Sequence, residues 1–407
     1  MSKHLTPASI RANIPLPLAD TAAQPSVKVG DELTLEVSDL AFGGEGVCRI
    51  DNFVIFVPFV IPGEKVTLEV VEVKRQYARG KLLKVLEVSP ERVKPRCKYF
   101  GVCGGCQYQH IDYGAQLKYK HKQISDIFHR LGGFAESSIL PVMPNPSPWN
   151  YRNRIMIRSQ WNKMIQGLHI GFIQHDCGLV VDIKSCEIVE PEINRLIEHV
   201  RENPPPRGGL KVVLRKEPEN WQVGKDSFFQ NNFHMLPGMI GALKDSVADS
   251  GVKYLFDVYC GVGFLGIEIA SQSPQIESFV GIEIDKQAIR SALVNAEKHH
   301  VNNGEFIAGT AEEILPELIH KYPAGESCVI LDPPRRGCHP SIMTLLREIK
   351  TRQIIYVSCH PATLARDLKQ ICADGLYQLR QIQPLDMFSH TQHVECIADL
   401  RLSNSSR

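Results

Sequence analysis

The sequence predicts a multidomain chain: a small β-barrel, then an α+β central domain, then an α/β domain of Rossmann-like type. Three observations carry that reading. Short β-rich runs punctuated by Gly and Pro fill residues 27–90. Strand-like and helical patterns alternate regularly from about residue 251 onwards. The stretch between mixes strand-like pieces, Pro- and Gly-bearing turns and one clear helix. The expected division is an extension over 1–26, the barrel over 27–90, the central domain over 91–250 and the α/β domain over 251–407.

Residues 1–26 lack the apolar core of a secretory signal, and their Pro, Ala and Ser content predicts a flexible extension. The barrel runs from DELTLEVSDL through a Gly43-Gly44-Glu45-Gly46 turn to VCRIDNFVIFVPFV and EKVTLEVVEVKRQYARGKLLKVLEV. Such closely spaced strands suit a barrel of the oligonucleotide-binding kind. Lys74, Arg75, Arg79, Lys81 and Lys84 lie on its last strands. They open a basic block: Lys74 to Arg158 holds 16 Lys and Arg against 5 Asp and Glu, while the whole chain is at +1. Such a block is either a polyanion footprint or a solvated surface.

Composition is that of a globular protein, 43% hydrophobic and 22% charged. No run approaches the ~18 apolar residues of a membrane span, so a cytoplasmic protein without membrane contact is expected. In a reducing compartment the twelve cysteines do not form a disulfide framework. Cys97, Cys103 and Cys106 form C-x5-C-x2-C among Gly101, Gly104 and Gly105, a flexible loop able to turn three thiolates to one centre. Cys177 or Cys186 can supply a fourth ligand, and thiolate-only ligation suits an iron–sulfur cluster or zinc. Cys48, Cys260, Cys328, Cys338, Cys372 and Cys396 read as small buried or half-buried side chains. Ala115 to Leu131 predicts the central helix.

In the last domain, strand-like YLFDVYC, FVGIEID, GEFIAGT, CVILDPP and QIIYVSC alternate with helical patterns, predicting a parallel sheet with helices on both faces. Gly261, Gly263 and Gly266 give GxGxxG after the first strand, and Glu283 ends the next, placed to bind ribose hydroxyls. NAD and S-adenosylmethionine both use such turns; Asp257 leans towards the methyl donor, and a turn needing glycine for packing is the plain alternative. LDPPRRG places Asp332 at a strand end, and YVSCHPATLARDL places Cys359 where a loop enters a helix. The positive helix end there is expected to lower the thiol pKa, unless Cys359 is a structural cysteine. LDMFSHTQHVECIADL brings His390, His393 and Glu395 together; the carboxylate can act as a general base, and ligation by the histidines is the weaker reading.

Together these motifs resemble the RNA uracil-C5 methyltransferases of the RumA and TrmA type, from about residue 27 to the end. DPPRRG, then sixteen residues, then IIYVSCHPAT follows the family's first signature, with His360 where asparagine is usual. LDMFSHTQHVE follows the second, with Ser389 where proline is usual. The barrel resembles a TRAM domain, and Cys97, Cys103, Cys106 and Cys186 resemble the RumA-type [4Fe–4S] site, with zinc as the rival. The resemblance implies Cys359 as nucleophile and Glu395 as base. It implies a methyl-donor and uracil site lined by Gln230, Tyr259, Gly261, Gly263, Glu283, Thr310 and Asp332, with Thr310 a changed residue at its position. Phe228 and Asn232 complete an aromatic-x-Gln-x-Asn pattern, with Phe228 and Asp332 towards the substrate, and Phe264 replaces an asparagine usual after the glycine turn.

The implied activity is methyl transfer from S-adenosylmethionine to a uridine of 23S ribosomal RNA through a cysteine adduct, by a monomer. The same reaction on transfer RNA is the close alternative. A non-catalytic RNA-binding protein with a decayed enzyme domain is the distant one. RNA binding is expected to weaken with salt and with neutralisation of Lys74, Arg75 and Arg79.

Overall fold

A computed structural model describes residues 27–403; the expected extension over 1–26 lies outside the described residues. Five strands, β1 (Glu32–Leu40), β2 (Glu45–Ile50), β3 (Phe53–Pro58), β4 (Lys65–Val73) and β5 (Tyr77–Glu87), close a barrel in the order β1-β2-β3-β5-β4. Alternation fills it, with Val37, Ile55, Val57, Leu68, Val70 and Ala78 buried inside. Fully buried Glu64 receives Arg92 at 2.5 and 2.7 Å, fastening the departing chain to the barrel. Part of the basic block is consumed here. Arg79 pairs with Glu45 and Glu72 and lies over the Phe56 and Tyr77 rings, and Lys74 pairs with Glu72 at 2.7 Å.

Helix α1 (Tyr113–Ile127) starts at Asp112, whose carboxylate accepts the Gly114 N–H at 2.9 Å. An antiparallel sheet follows, ordered β8-β7-β6-β9, from β6 (Arg154–Asn162), β7 (Gly167–Ile173), β8 (Val180–Asp182) and β9 (Lys211–Arg215). Helix α2 (Pro191–Glu202) covers one face, seating Ile193 and Ile197 against Ile155, Ile157, Ile170 and Leu214.

After α3 (Leu236–Ala248) the chain alternates through β10 (Tyr254–Val258), α4 (Phe264–Gln272), β11 (Ser278–Glu283), α5 (Lys286–Lys298), β12 (Gly304–Ala308) and α6 (Ala311–Leu318). It continues through β13 (Ser327–Leu331), α7 (Pro340–Ile349), β14 (Gln353–Ser358) and α8 (Pro361–Ile371) to β15 (Tyr377–Leu385) and β16 (Glu395–Leu402). The seven strands order β12-β11-β10-β13-β14-β16-β15. The five strands expected to be parallel, β10 to β14, are parallel; beyond them β16 runs antiparallel between β14 and β15. The connection 386–394 is too short for the crossover that parallel neighbours need, so the chain must reverse.

Helices from before residue 251 close both faces of this sheet. Ile124, Ile127 and Phe128 share a core with Leu364, Leu368 and Ile382, and Met239 and Leu243 share another with Leu265 and Ile355. Among the described residues no helix is long and apolar enough to cross a membrane.

Candidate active site

A cleft of about 1350 Å3 opens over the carboxyl ends of the parallel strands. Phe228, Gln230, Tyr259, Gly261, Glu283, Thr310, Asp332, Cys359 and Glu395 all line it. Gly263 does not. It caps α4 at φ 82°, where a Cβ would stand 2.9 Å from Ile267 and 3.0 Å from Phe306, so its glycine serves the turn itself.

The glycine turn is tied to the strand ends by carboxylates. Glu283 accepts the Gly261 N–H at 3.1 Å and the Asp285 N–H at 2.9 Å, leaving lone pairs for hydroxyl donors. Asp257 accepts the Gly266 N–H at 2.8 Å through one oxygen; the other is buried and has no partner among the described residues. Burial, with Glu283 nearby, pushes the Asp257 carboxyl up to about 7 against the Gly266 bond. Burial and Asp257 push Asp332 up to about 7 as well.

The β14–β16 ladder pairs Gln353 with Arg401 through to Ser358 with Cys396. Cys359 and Glu395 lie one residue past that last pair, at the end of the ladder. Two residues 36 positions apart thus come together at the cleft because one strand reverses. Burial holds Glu395 well above the usual carboxylate range, Asp332 adding to it and Arg335 opposing. Burial, then the Glu395 charge, pushes the Cys359 thiol up to about 11, while the Arg335 guanidinium pulls down by charge and hydrogen bond.

The expected lowering of that thiol by a helix end is therefore corrected. The N-cap of α8 is His360, not Cys359; Pro361 offers no N–H, and the His360 ring accepts the Thr363 N–H at 3.2 Å. Arg335 takes the cationic role and was not singled out from the sequence, although it stands in DPPRRG. Its Nη2 lies 3.5 Å from His393 Nε2, on a ring that burial holds neutral down to about pH 3.

Other expected residues hold the frame. Fully buried Asn232 accepts the His234 N–H at 3.0 Å and donates to the Met387 carbonyl at 3.1 Å. His390 stacks on Trp149 at 3.7 Å between centroids and meets Gln116 at 3.1 Å, outside the cleft lining. No metal role for the two histidines emerges from these contacts.

A second cavity of about 260 Å3 is walled by Cys97, Cys103, Cys106 and Cys186. Cys177 is exposed and donates to Gln174 Oε1 at 3.0 Å instead. The Gly105 N–H donates to Cys103 Sγ at 3.4 Å. Burial raises all four thiols, Cys186 to about 12 with Cys103 and Cys97 adding to it. Among the described residues no three His, Cys, Asp or Glu side chains converge tightly enough to hold a single metal ion. Gly105 and Arg152 line both cavities.

The family model for tRNA (uracil-5-)-methyltransferase matches residues 210–402, and that for the TRAM domain matches residues 26–83. An uncharacterized RNA methyltransferase of Thermosynechococcus vestitus is 30% identical, over 92% of this chain and 99% of its own. One from Nostoc is 31% identical over 93% and 98%. The chain belongs to the RNA (uracil-5-)-methyltransferase family. The crystal structure of Pyrococcus abyssi tRNA (uracil-54, C5)-methyltransferase with S-adenosyl-L-homocysteine matches 90% of this chain and all of that one, at 27% identity and a TM-score of 0.70.

This methyltransferase departs from its family's pattern without disturbing the cleft. Phe264 packs at 5.1 Å from both the Trp221 and Phe229 rings, turned into the core rather than the cleft lining. His360 does the capping that an asparagine would do. Thr310 caps α6, accepting the Glu313 N–H at 3.3 Å. Ser389 donates to Asp386 at 2.6 Å and accepts from Asn145 at 3.0 Å, bonds a proline could not make.

Proposed function

We propose that this S-adenosylmethionine-dependent methyltransferase methylates C5 of a uridine in 23S ribosomal RNA through a covalent bond between Cys359 and C6. The observation that carries this is that Cys359, directly after β14, and Glu395, first residue of β16, line one cleft close enough for the Glu395 charge to act on the thiol, with Asp332 and Arg335 beside them. Bound S-adenosylmethionine supplies an electrophilic methyl on a sulfonium cation. Asp257, buried beneath the cleft, and half-buried Asp332 along it suit a cationic ligand, and Glu283 suits its ribose hydroxyls.

C5 of uracil is a poor nucleophile, and Cys359 makes it a better one. The Cys359 thiolate, stabilised by Arg335, bonds to C6, and the C5=C6 pair moves into an enolate. C5 then takes the methyl group, and the broken S–CH3 pair stays on the donor's sulfur as a neutral thioether. The Glu395 carboxylate removes the C5 proton; the released pair restores C5=C6, and the C6–S bond breaks to return the thiolate. A carboxylate whose pKa burial raises is the stronger base for that proton. Phe228, half exposed at the cleft mouth, is suited to stack on a flipped base.

The four cysteines would hold a [4Fe–4S] cluster. Zinc draws its ligands to ~2.3 Å of one point. Thiols that wall a cavity suit a polynuclear cluster, which would tie the loop at 97–106 to Cys186 across the central domain. Barrel and cysteines together favour ribosomal RNA. Transfer RNA is the rival substrate, since the Pyrococcus abyssi relative is named for it. Mapping 5-methyluridine in 23S and transfer RNA from cells lacking this protein decides. Loss at one 23S position supports the proposal; loss confined to transfer RNA replaces its substrate.

A further inference from the structure

The loop that carries Glu395 is held by hydrogen bonds from the cysteine loop. The backbone N–H groups of Gln107 and Tyr108 both donate to the His390 carbonyl at 3.0 Å. The Gln107 side chain accepts the Gln392 N–H at 3.1 Å through Oε1 and donates through Nε2 to the Gly104 carbonyl at 3.1 Å. Gly104 in turn donates to the Ile173 carbonyl of β7 at 2.9 Å. The barrel reaches the same side chain: a Cβ on Gly44 would lie 2.8 Å from Gln107 Cβ.

Loop 386–394 needs such an anchor. His390 holds a φ of +64°, a conformation that a residue with a Cβ keeps only when its surroundings enforce it. Beyond Gln392, only His393 and Val394 separate that hydrogen bond from Glu395. The strand ladder fixes Glu395 from its carboxyl side; Gln107 fixes it from its amino side. Gly104, Gly105, Gln107, Gln392 and Glu395 all line the cleft.

We infer that Gln107 is a positioning residue for the proton-abstraction step, setting the reach of Glu395 by holding Gln392. The inference rests on the covalent mechanism proposed above. Its signature is specific, because Cys359 addition and methyl transfer precede removal of the C5 proton. Misplacing the base leaves those bonds made and slows the last step, in which the C5–H pair restores C5=C6 and C6–S breaks. A methylated protein–RNA adduct then accumulates.

The test compares wild type, Gln107→Ala and Gln107→Glu on RNA extracted from cells lacking this protein, with methyl-labelled S-adenosylmethionine. Glutamate keeps an oxygen for the Gln392 N–H and replaces the donor to Gly104 with an acceptor. Gln107→Ala is expected to lower turnover roughly 100-fold, the scale of a ~1 Å misplacement, while methyl-labelled adduct stable in detergent builds up. Gln107→Glu is expected within about tenfold of wild type, since it keeps the bond to Gln392. Slow turnover by Gln107→Ala without adduct, or a Gln107→Glu no faster than Gln107→Ala, overturns the inference. A wild type that forms no adduct with 5-fluorouridine RNA would instead overturn the mechanism beneath it.

Discussion

Cys359 is a thiol held high by burial, and the Arg335 guanidinium beside it pulls the other way. The sign of the pH dependence follows. A pKa pushed up to about 11 leaves a small thiolate fraction at pH 7 that grows with pH, so kcat/KM is expected to rise from pH 7 to 9. Arg335→Ala removes a group that lowers that pKa; a shift of one unit would cost roughly tenfold at pH 8 and move the rise to higher pH. An Arg335→Ala profile that coincides with wild type would remove Arg335 from the thiolate. Asp257 makes a stability prediction. Its folded pKa is raised above the unfolded value of 3.8 to about 7, so stability is full below pH 3.8 and is lost as pH rises through 7. Asp257→Asn is expected to raise the melting temperature of the cofactor-free protein at pH 8, by up to a few kcal/mol in stability, and to do so less at pH 5. At this scale the sequence revealed which residues gather but not their ionisation. Whether a helix end reaches a thiol depends on a cap one residue away, and Pro361 and His360 decide it.

The elements that matter most are the hairpin β15–β16 and its connection. Local alternation made the strands of the barrel and of the α/β domain readable. The direction of β16 was not, because it depends on where a short connection sends the chain. That connection is pinned by residues far away in sequence. Lys120 on α1 pairs with Asp386 at 2.5 Å with both side chains buried, and also donates to the Phe388 and His393 carbonyls at 3.2 and 3.1 Å. A lysine in the helical pattern of 115–131 gives no sign of a partner 266 residues on. Lys120→Met leaves Asp386 buried without its counter-charge, held by the Ser389 and Tyr113 hydroxyls. A loss of about 3–5 kcal/mol is expected in urea denaturation, together with loss of turnover. A change below about 1 kcal/mol would mean that Asp386 finds another partner or holds its proton.

Across the whole molecule, the near-neutral sum conceals a basic middle, but the structure redistributes its roles. Arg79 and Lys74 are engaged with Glu45 and Glu72, so the footprint expected at Lys74, Arg75 and Arg79 is better sought at exposed Arg75, Lys81 and Lys84. Neutralising those three is expected to weaken RNA binding and to lower the slope of log K against log salt by about 2, at ~0.7 per single-strand phosphate contact. An unchanged slope would place the footprint off the barrel. Gly105 and Arg152 join the cysteine cavity to the cleft, and on the barrel side a Cβ on Gly44 would meet Gln107, which holds loop 386–394. Spacing grouped Cys97, Cys103 and Cys106 and marked the signature loops, whereas their junction exists only in three dimensions. Cys359 is proposed to bond covalently to the uracil it helps methylate. Incubation with 5-fluorouridine RNA and S-adenosylmethionine, followed by peptide mass spectrometry, tests it most directly, because fluorine at C5 cannot leave as a proton. A methylated fluorouridine attached to Cys359 is the predicted product; methylation of normal RNA by Cys359→Ala, or an adduct on another residue, would contradict it.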